Sequence, residues 1–187
     1  LTKALKKRDI KTKGLHISTC ERRLPLHTTY SPCLEKIVAV TNRKSVNLYA
    51  EHFLKKMGEY KLGYGSTSNG LEVLSEFLKK KGVNLIGSSF VDGSGLSRKN
   101  LIKAKQMVEI LLAHKRSPVF ENFKGSLNRR GVAFGKSGTM SNVRCYAGFI
   151  GDTIFAIFIN NYCGETKLAD DFIDEVIEDL GKLTKSE

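Results

Sequence analysis

The sequence predicts an α+β fold in which an antiparallel sheet is flanked by helices. Two patterns carry that expectation. Residues 144–150 and 153–162 are rich in β-branched and aromatic side chains and flank Gly151-Asp152, a pair suited to a two-residue hairpin turn. Before and after this hairpin, apolar residues recur every three or four positions instead of alternating, which is the period of a helix packed by one face.

Taken in order, residues 33–42 and 47–58 both read as helical, and Asn42 to Lys44 offer turn chemistry between them. Ser45 falls in that break, at the entrance of the second helix, where a serine is ordinarily a cap. Asn69 with Glu72 forms a capping-box pattern for a helix reaching Lys81, and Gly82 supplies the stop. Residues 97–114 carry Leu101, Ala104, Lys105, Val108, Leu111 and Leu112 at helical spacing, with Ser97 as the cap. Residues 154–159 are apolar at every position, which suits a strand covered by helices on both sides. After them Ala169, Phe172, Ile173, Val176, Ile177 and Leu180 make one stripe with acidic residues outside it, a surface helix packed on the sheet.

The 187 residues, 41% hydrophobic and 27% charged, have the composition of a globular chain and read as a single domain spanning 1–187. Neither a repeat nor a Pro/Ser linker marks an internal boundary. No apolar run approaches the roughly 18 residues of a membrane-crossing helix, and the opening LTKALKKRDIK lacks the apolar stretch of an export signal. Because the chain starts at Leu1, the expectation is that processing or truncation has removed what came before.

The net charge of +12 raises nucleic acid as a partner. Its distribution argues otherwise: residues 166–187 hold 7 acids against 3 bases, leaving a surplus of +16 spread over the rest of the chain. No nucleic-acid motif accompanies it, and no aromatic residues interleave with the Lys and Arg. A solvated basic surface that also favours an anionic polymer such as a cell wall fits better. Cys20, Cys33, Cys145 and Cys163 show no metal-ligand spacing, so no zinc is expected, and four cysteines leave three disulfide pairings open. His16, His27, His52 and His114 have no nucleophile elbow G-x-S-x-G beside them, which disfavours a Ser-His triad.

Three short segments carry possible chemistry: Ser45-Val46-Asn47, the run DGSGLSRKN at 92–100, and Lys136-Ser137-Gly138-Thr139 just before the hairpin. Each alone is weak, since a serine before a helix is usually a cap and a lysine before small residues is usually a solvated charge. In this order they resemble the second and third signatures of serine β-lactamases and penicillin-binding proteins, Ser-Asp-Asn and Lys-Thr-Gly. SVNLYAEHFL, the preceding SPCLEKIVAVTNRK and DGSGLSRKN resemble the low-molecular-mass penicillin-binding proteins with D-Ala-D-Ala carboxypeptidase and endopeptidase activity, over about residues 5–180. Two features depart from the pattern. No serine is followed three residues later by lysine, so the nucleophile motif is missing. The stretch from Ser126 to Lys136 is also shorter than the family's usual one.

The resemblance implies the carboxyl-terminal part of a serine peptidase of the cell envelope, periplasmic or extracytoplasmic, that acts on peptidoglycan peptides ending in D-Ala-D-Ala, is inhibited by β-lactams and needs no cofactor. Ser45 would relay a proton to the leaving D-alanine nitrogen, and Asn47 would hold the peptide. Lys136 would face the terminal carboxylate, with hydroxyls from Ser137 and Thr139. Gly138 would allow close approach, and the Thr139 N–H would be an oxyanion donor. These roles require Ser45 and Lys136 to share one cleft, in direct contact or one water apart. The Lys136 strand should be an edge of the sheet or line an open groove, leaving the Thr139 N–H free, and apolar surface near Leu48 or Met140 should be exposed or covered by a neighbouring chain. For 92–100 the residues themselves give only a tight turn. The alternatives are a non-catalytic module binding cell-wall peptide or β-lactam and, less favoured, a basic nucleic-acid-binding domain.

Overall fold

The computed structural model describes residues 2–13 and 27–184. The chain divides into two units, residues 1–31 and 32–187. Among its described residues the first holds one short helix, α1 (Thr2–Lys6). Every residue of the candidate site lies in the second.

There α2 (Leu34–Lys44) and α3 (Asn47–Leu62) occupy the two helical segments expected near the start. Next comes α4 (Thr67–Lys80), which begins ahead of the expected Asn69/Glu72 box. Ser66 is its cap: the Ser66 hydroxyl accepts the Asn69 N–H at 3.0 Å, and the Asn69 side chain turns back to the Tyr64 carbonyl at 2.9 Å. A serine three residues upstream thus takes the capping role that the box would give to Asn69. α3 and α4 meet at two glycines. A Cβ on Gly58 would lie 2.8 Å from the Gly70 nitrogen, so the backbones touch without side chains between them.

The helix expected over 97–114 is shorter, α5 (Ala104–Lys115). Ser97 does not cap it. Its N–H is taken by the Asp92 carboxylate, while Leu101 pairs with Ser89 in an isolated bridge and is exposed. Side-chain acceptors that capture local N–H groups compete with a helix for its first turn, and here they win. The helix starts where the Gln106 side chain can accept the Lys103 N–H.

A helix with no clear sequence signal, α6 (Phe120–Ser126), leads into the sheet. The four strands lie in chain order and are all antiparallel: β1 (Asn128–Arg130), β2 (Ala133–Met140), β3 (Val143–Ile150) and β4 (Thr153–Asn160). The hairpin around Gly151-Asp152 is as expected, with Gly151 at φ 57°. The strand bearing Lys136 starts three residues ahead of it. α7 (Thr166–Leu183) closes the chain.

The sheet is covered on both faces. Phe149, Phe134, Ala147 and Ile154 pack with Leu111 of α5 and Phe120 and Phe123 of α6, while Ala133, Tyr146, Ile150 and Phe155 pack with Ile173 and Ile177 of α7. This explains why residues 154–159 of β4 are apolar at every position: alternate residues enter different cores. Arg130 of β1 fastens α7 with a two-point ion pair to Asp174, at 2.7 and 3.1 Å.

Candidate active site

Ser45 ends α2 in the left-handed conformation, φ 50° and ψ 51°, with its N–H on the Thr41 carbonyl. A non-glycine residue there costs about 1–2 kcal/mol, so the surroundings must impose it. It is not the cap of α3. Val46 holds that position without a side-chain bond, which leaves the Ser45 hydroxyl free to point elsewhere.

That hydroxyl accepts a hydrogen bond from the ammonium of Lys136, 91 residues away, and the same ammonium donates to the Ser137 carbonyl at 2.6 Å. Lys136 is half-buried, and burial lowers its pKa below the ordinary lysine value. Among the described residues it has no carboxylate partner, so its charge remains available to an anion. Asn47 stands two residues past Ser45 on the first turn of α3, exposed, its amide bonded to no other described side chain or backbone group. Beside it Leu48 is 62% exposed, the open apolar surface anticipated there. Met140 is half-buried.

The backbone of β2 supplies donors. β1 pairs with it only through Gly135, whereas β3 pairs with it through Met140. Met140 and Val143 close a two-residue turn and therefore form a hydrogen-bonded pair; counting back, Gly138 and Lys136 also bond to β3, and Ser137 and Thr139 turn their N–H and C=O groups to the other edge. β2 is not an edge strand of the sheet, but past Gly135 no strand among the described residues pairs with that side, so the Thr139 N–H has no strand partner there. The Ser137 and Thr139 side chains project from the sheet face opposite to Lys136. They line a cavity of about 530 Å³ together with Asn128, Arg129, Arg130, Arg144 and Tyr146. Any ligand that used both the Lys136 ammonium and these hydroxyls would have to lie along the strand edge, where both faces are in reach.

The 92–100 loop, unresolved by sequence beyond a tight turn, is a hydrogen-bonded knot. The Asp92 carboxylate accepts the N–H groups of Gly95 (2.6 Å) and Ser97 (2.7 Å) and the Asn100 amide (2.9 Å). Asn100 returns its carbonyl to the Val91 N–H at 2.8 Å. Burial pushes the Asp92 pKa up, but the combined hydrogen bonds outweigh it and hold the carboxyl below its ordinary value. Glu51 of α3 accepts the N–H groups of Gly93 and Ser94, and a Cβ on Gly93 would lie 2.8 Å from the Ala50 carbonyl, so the loop rests on the second turn of α3. Arg98 then reaches the Ser141 carbonyl, at the turn after β2, at 3.0 Å. Sequence reasoning missed Glu51 and Arg98 because partners 42 or 43 residues distant leave no local signal.

Among the described residues, no cluster of His, Cys, Asp and Glu could hold a metal, and no helix is long and apolar enough to cross a membrane. Cys33, Cys145 and Cys163 are free thiols, so the two-disulfide arrangement left open by the cysteine count does not form; Cys20 and His16 lie outside the described residues. Neither His52, bonded to the Leu48 carbonyl, nor His114, edge-on to Phe120 and Phe123, approaches a serine as a triad would require.

The helices and four-stranded antiparallel sheet that bring Ser45 and Lys136 together form an α+β fold of the penicillin-binding-protein type. Two solved structures of penicillin-binding protein 4 from Haemophilus influenzae, one complexed with a β-lactam, share this architecture with a TM-score of 0.66. At 22% and 20% identity they cover 78% of this chain and 41% and 39% of their own, and they establish the common fold.

The chain belongs to the D-Ala-D-Ala carboxypeptidase 3 (S13) family, whose model matches residues 1–178. It is 31% identical over 161 residues to a D-alanyl-D-alanine carboxypeptidase of Actinomadura sp. (strain R39), covering 73% of this chain and 30% of that protein. It is 26% identical over 186 residues to penicillin-sensitive carboxypeptidase A of Dictyostelium discoideum, covering 83% of this chain and 35% of that protein. The chain thus spans about a third of the length of these curated relatives.

Proposed function

We propose that this chain is the carboxyl-terminal part of a serine-type D-Ala-D-Ala carboxypeptidase that cleaves peptidoglycan stem peptides outside the cytoplasm and is inhibited by β-lactams. The observation that carries the proposal is the Lys136–Ser45 hydrogen bond, which joins two of the family-like motifs across 91 residues beside an open strand edge. The nucleophilic serine of a Ser-x-x-Lys motif comes from another part of the longer protein, since none occurs here.

In this reading the Lys136 ammonium faces the terminal carboxylate of the substrate and keeps the Ser45 hydroxyl oriented. The Ser45 oxygen passes a proton to the departing D-alanine nitrogen, Asn47 holds the peptide through its amide, and the Thr139 N–H receives the oxyanion. Ser137, Gly138 and Thr139 line the substrate along the strand edge. Binding energy realised at the reacting end of the peptide is what raises the rate of acyl transfer.

A fluorescent penicillin tests the assignment. The full-length protein should be labelled one-to-one, and the 187-residue chain should remain unlabelled. Stoichiometric labelling of the isolated chain would reveal a different nucleophile and sink the motif assignment. Absence of labelling in the full-length protein would leave a non-catalytic cell-wall module as the better description.

A further inference from the structure

The Ser45 turn needs an external support, because Ser45 is strained and nothing in its own turn beyond two backbone bonds to Thr41 holds it. That support comes from the segment joining α6 to β1. The Asn42 amide donates to the Ser126 hydroxyl at 2.7 Å, and the Arg43 guanidinium donates to the Gly125 carbonyl at 2.6 Å. The Asn128 amide donates back to the Arg43 carbonyl at 2.9 Å. Ser126 is 2% exposed and spends its own proton on the Phe123 carbonyl at 2.6 Å, so its oxygen is oriented to receive Asn42.

The position of these bonds in the chain is what matters. Arg43 lies two residues before Ser45. Asn128 is the β-partner of Gly135, the residue before Lys136. The Asn128–Arg43 bond therefore links the two halves of the Ser45–Lys136 contact, two residues from Ser45 on one side and opposite the residue before Lys136 on the other. Backbone carbonyls of Arg43 and Gly125 take two of its three bonds, so the α2 terminus is seated by main chain as well as side chain.

Resting on the function proposed above, we infer that Asn42, Ser126 and Asn128 are positioning residues that set the Ser45–Lys136 geometry for acyl transfer by acting through the Ser45 turn, with Asn128 also lining the cavity beside Ser137 and Thr139. Asn128 is the informative member. It is exposed, so its removal leaves the cores untouched, yet it bonds the residue two before Ser45 and pairs with the residue before Lys136.

The test is single-turnover acylation of the full-length protein by a fluorescent penicillin, with the rate constant and the dissociation constant measured separately. Asn128→Ala should lower the acylation rate constant about tenfold, a larger change than in the dissociation constant, as expected when the reacting groups are displaced more than the binding surface. Thermal unfolding should change little. Ser126→Ala, which strands the Asn42 amide in a buried place, should show the same split together with a lower unfolding temperature. Wild-type acylation in both variants, alongside a large loss in Lys136→Ala, overturns the clamp. If Lys136→Ala itself acylates normally, it is the site assignment that fails, and the positioning role with it.

Discussion

The two polar turns that lean on the start of α3 are built to opposite plans. In the 92–100 loop both Asp92 oxygens and the Asn100 side-chain carbonyl accept N–H groups, and one carboxylate oxygen of Glu51 on α3 accepts two more from the loop backbone. At the Ser45 turn the side chains are left open: the serine hydroxyl meets only the Lys136 ammonium, and the Asn47 amide is unengaged among the described residues. The loop is relaxed around a carboxylate, whereas the turn holds a serine in a conformation that glycine would prefer. Saturated polar atoms hold structure in place. Open ones, kept in place by strain and by neighbours, are left for a ligand.

Substitutions can break or sharpen this contrast. The largest effect should come at the open turn: under the proposed activity, Lys136→Ala in the full-length protein should lower kcat/KM by about a hundredfold or more, roughly 2.7 kcal/mol of transition-state stabilisation. A loss below about tenfold would make Lys136 a surface charge. Because burial lowers the Lys136 pKa, its charge is lost at a lower pH than that of a free lysine, so the alkaline limb of the kcat/KM profile should lie below the ordinary lysine value and vanish in the variant.

Next in size, Asp92→Ala should cost about 2 kcal/mol of stability, since it strands three donors around one charged acceptor, and denaturant unfolding would measure it. A change under about 0.5 kcal/mol would show that the loop does not depend on its carboxylate. The smallest effect sharpens the comparison most. Ser45→Gly should stabilise the fold by about 1 kcal/mol by relieving the left-handed serine, while acylation by penicillin falls. Loss of stability in that variant would mean that the hydroxyl holds structure after all.

Much of this was legible in the sequence, for reasons that differ between residues. The β3–β4 hairpin and α7 announced themselves through periodicity, which one stretch of chain displays by itself. Ser45, Asn47 and Lys136 were found through motif resemblance, and the contact between Ser45 and Lys136 followed from the chemistry those motifs imply. The 97–114 helix was over-extended because apolar spacing continues through Leu101 while the Asp92 carboxylate, five residues ahead of Ser97, claims the N–H groups a first turn would need. β1 has three polar residues and no pattern of its own; it is a strand only because β2 is beside it. The clamp from Asn42, Arg43 and Asn128 spans 82 to 85 residues, a separation at which side-chain identity carries no local trace.

The glycine contact between α3 and α4 reaches further than its size suggests. Gly58 sits eleven residues from Asn47, which is about 16 Å along the helix axis. α3 is thus a lever, and the place where its backbone rests on Gly70 is the fulcrum. A tilt of about 4° at that point would swing the Asn47 end by about 1 Å, enough to matter to a reaction governed by contact distances. Any side chain at Gly58 or Gly70 would force the two backbones apart, so a substitution there would be felt along a helix that carries Asn47 at its far end, as a shifted mount is felt by a beam.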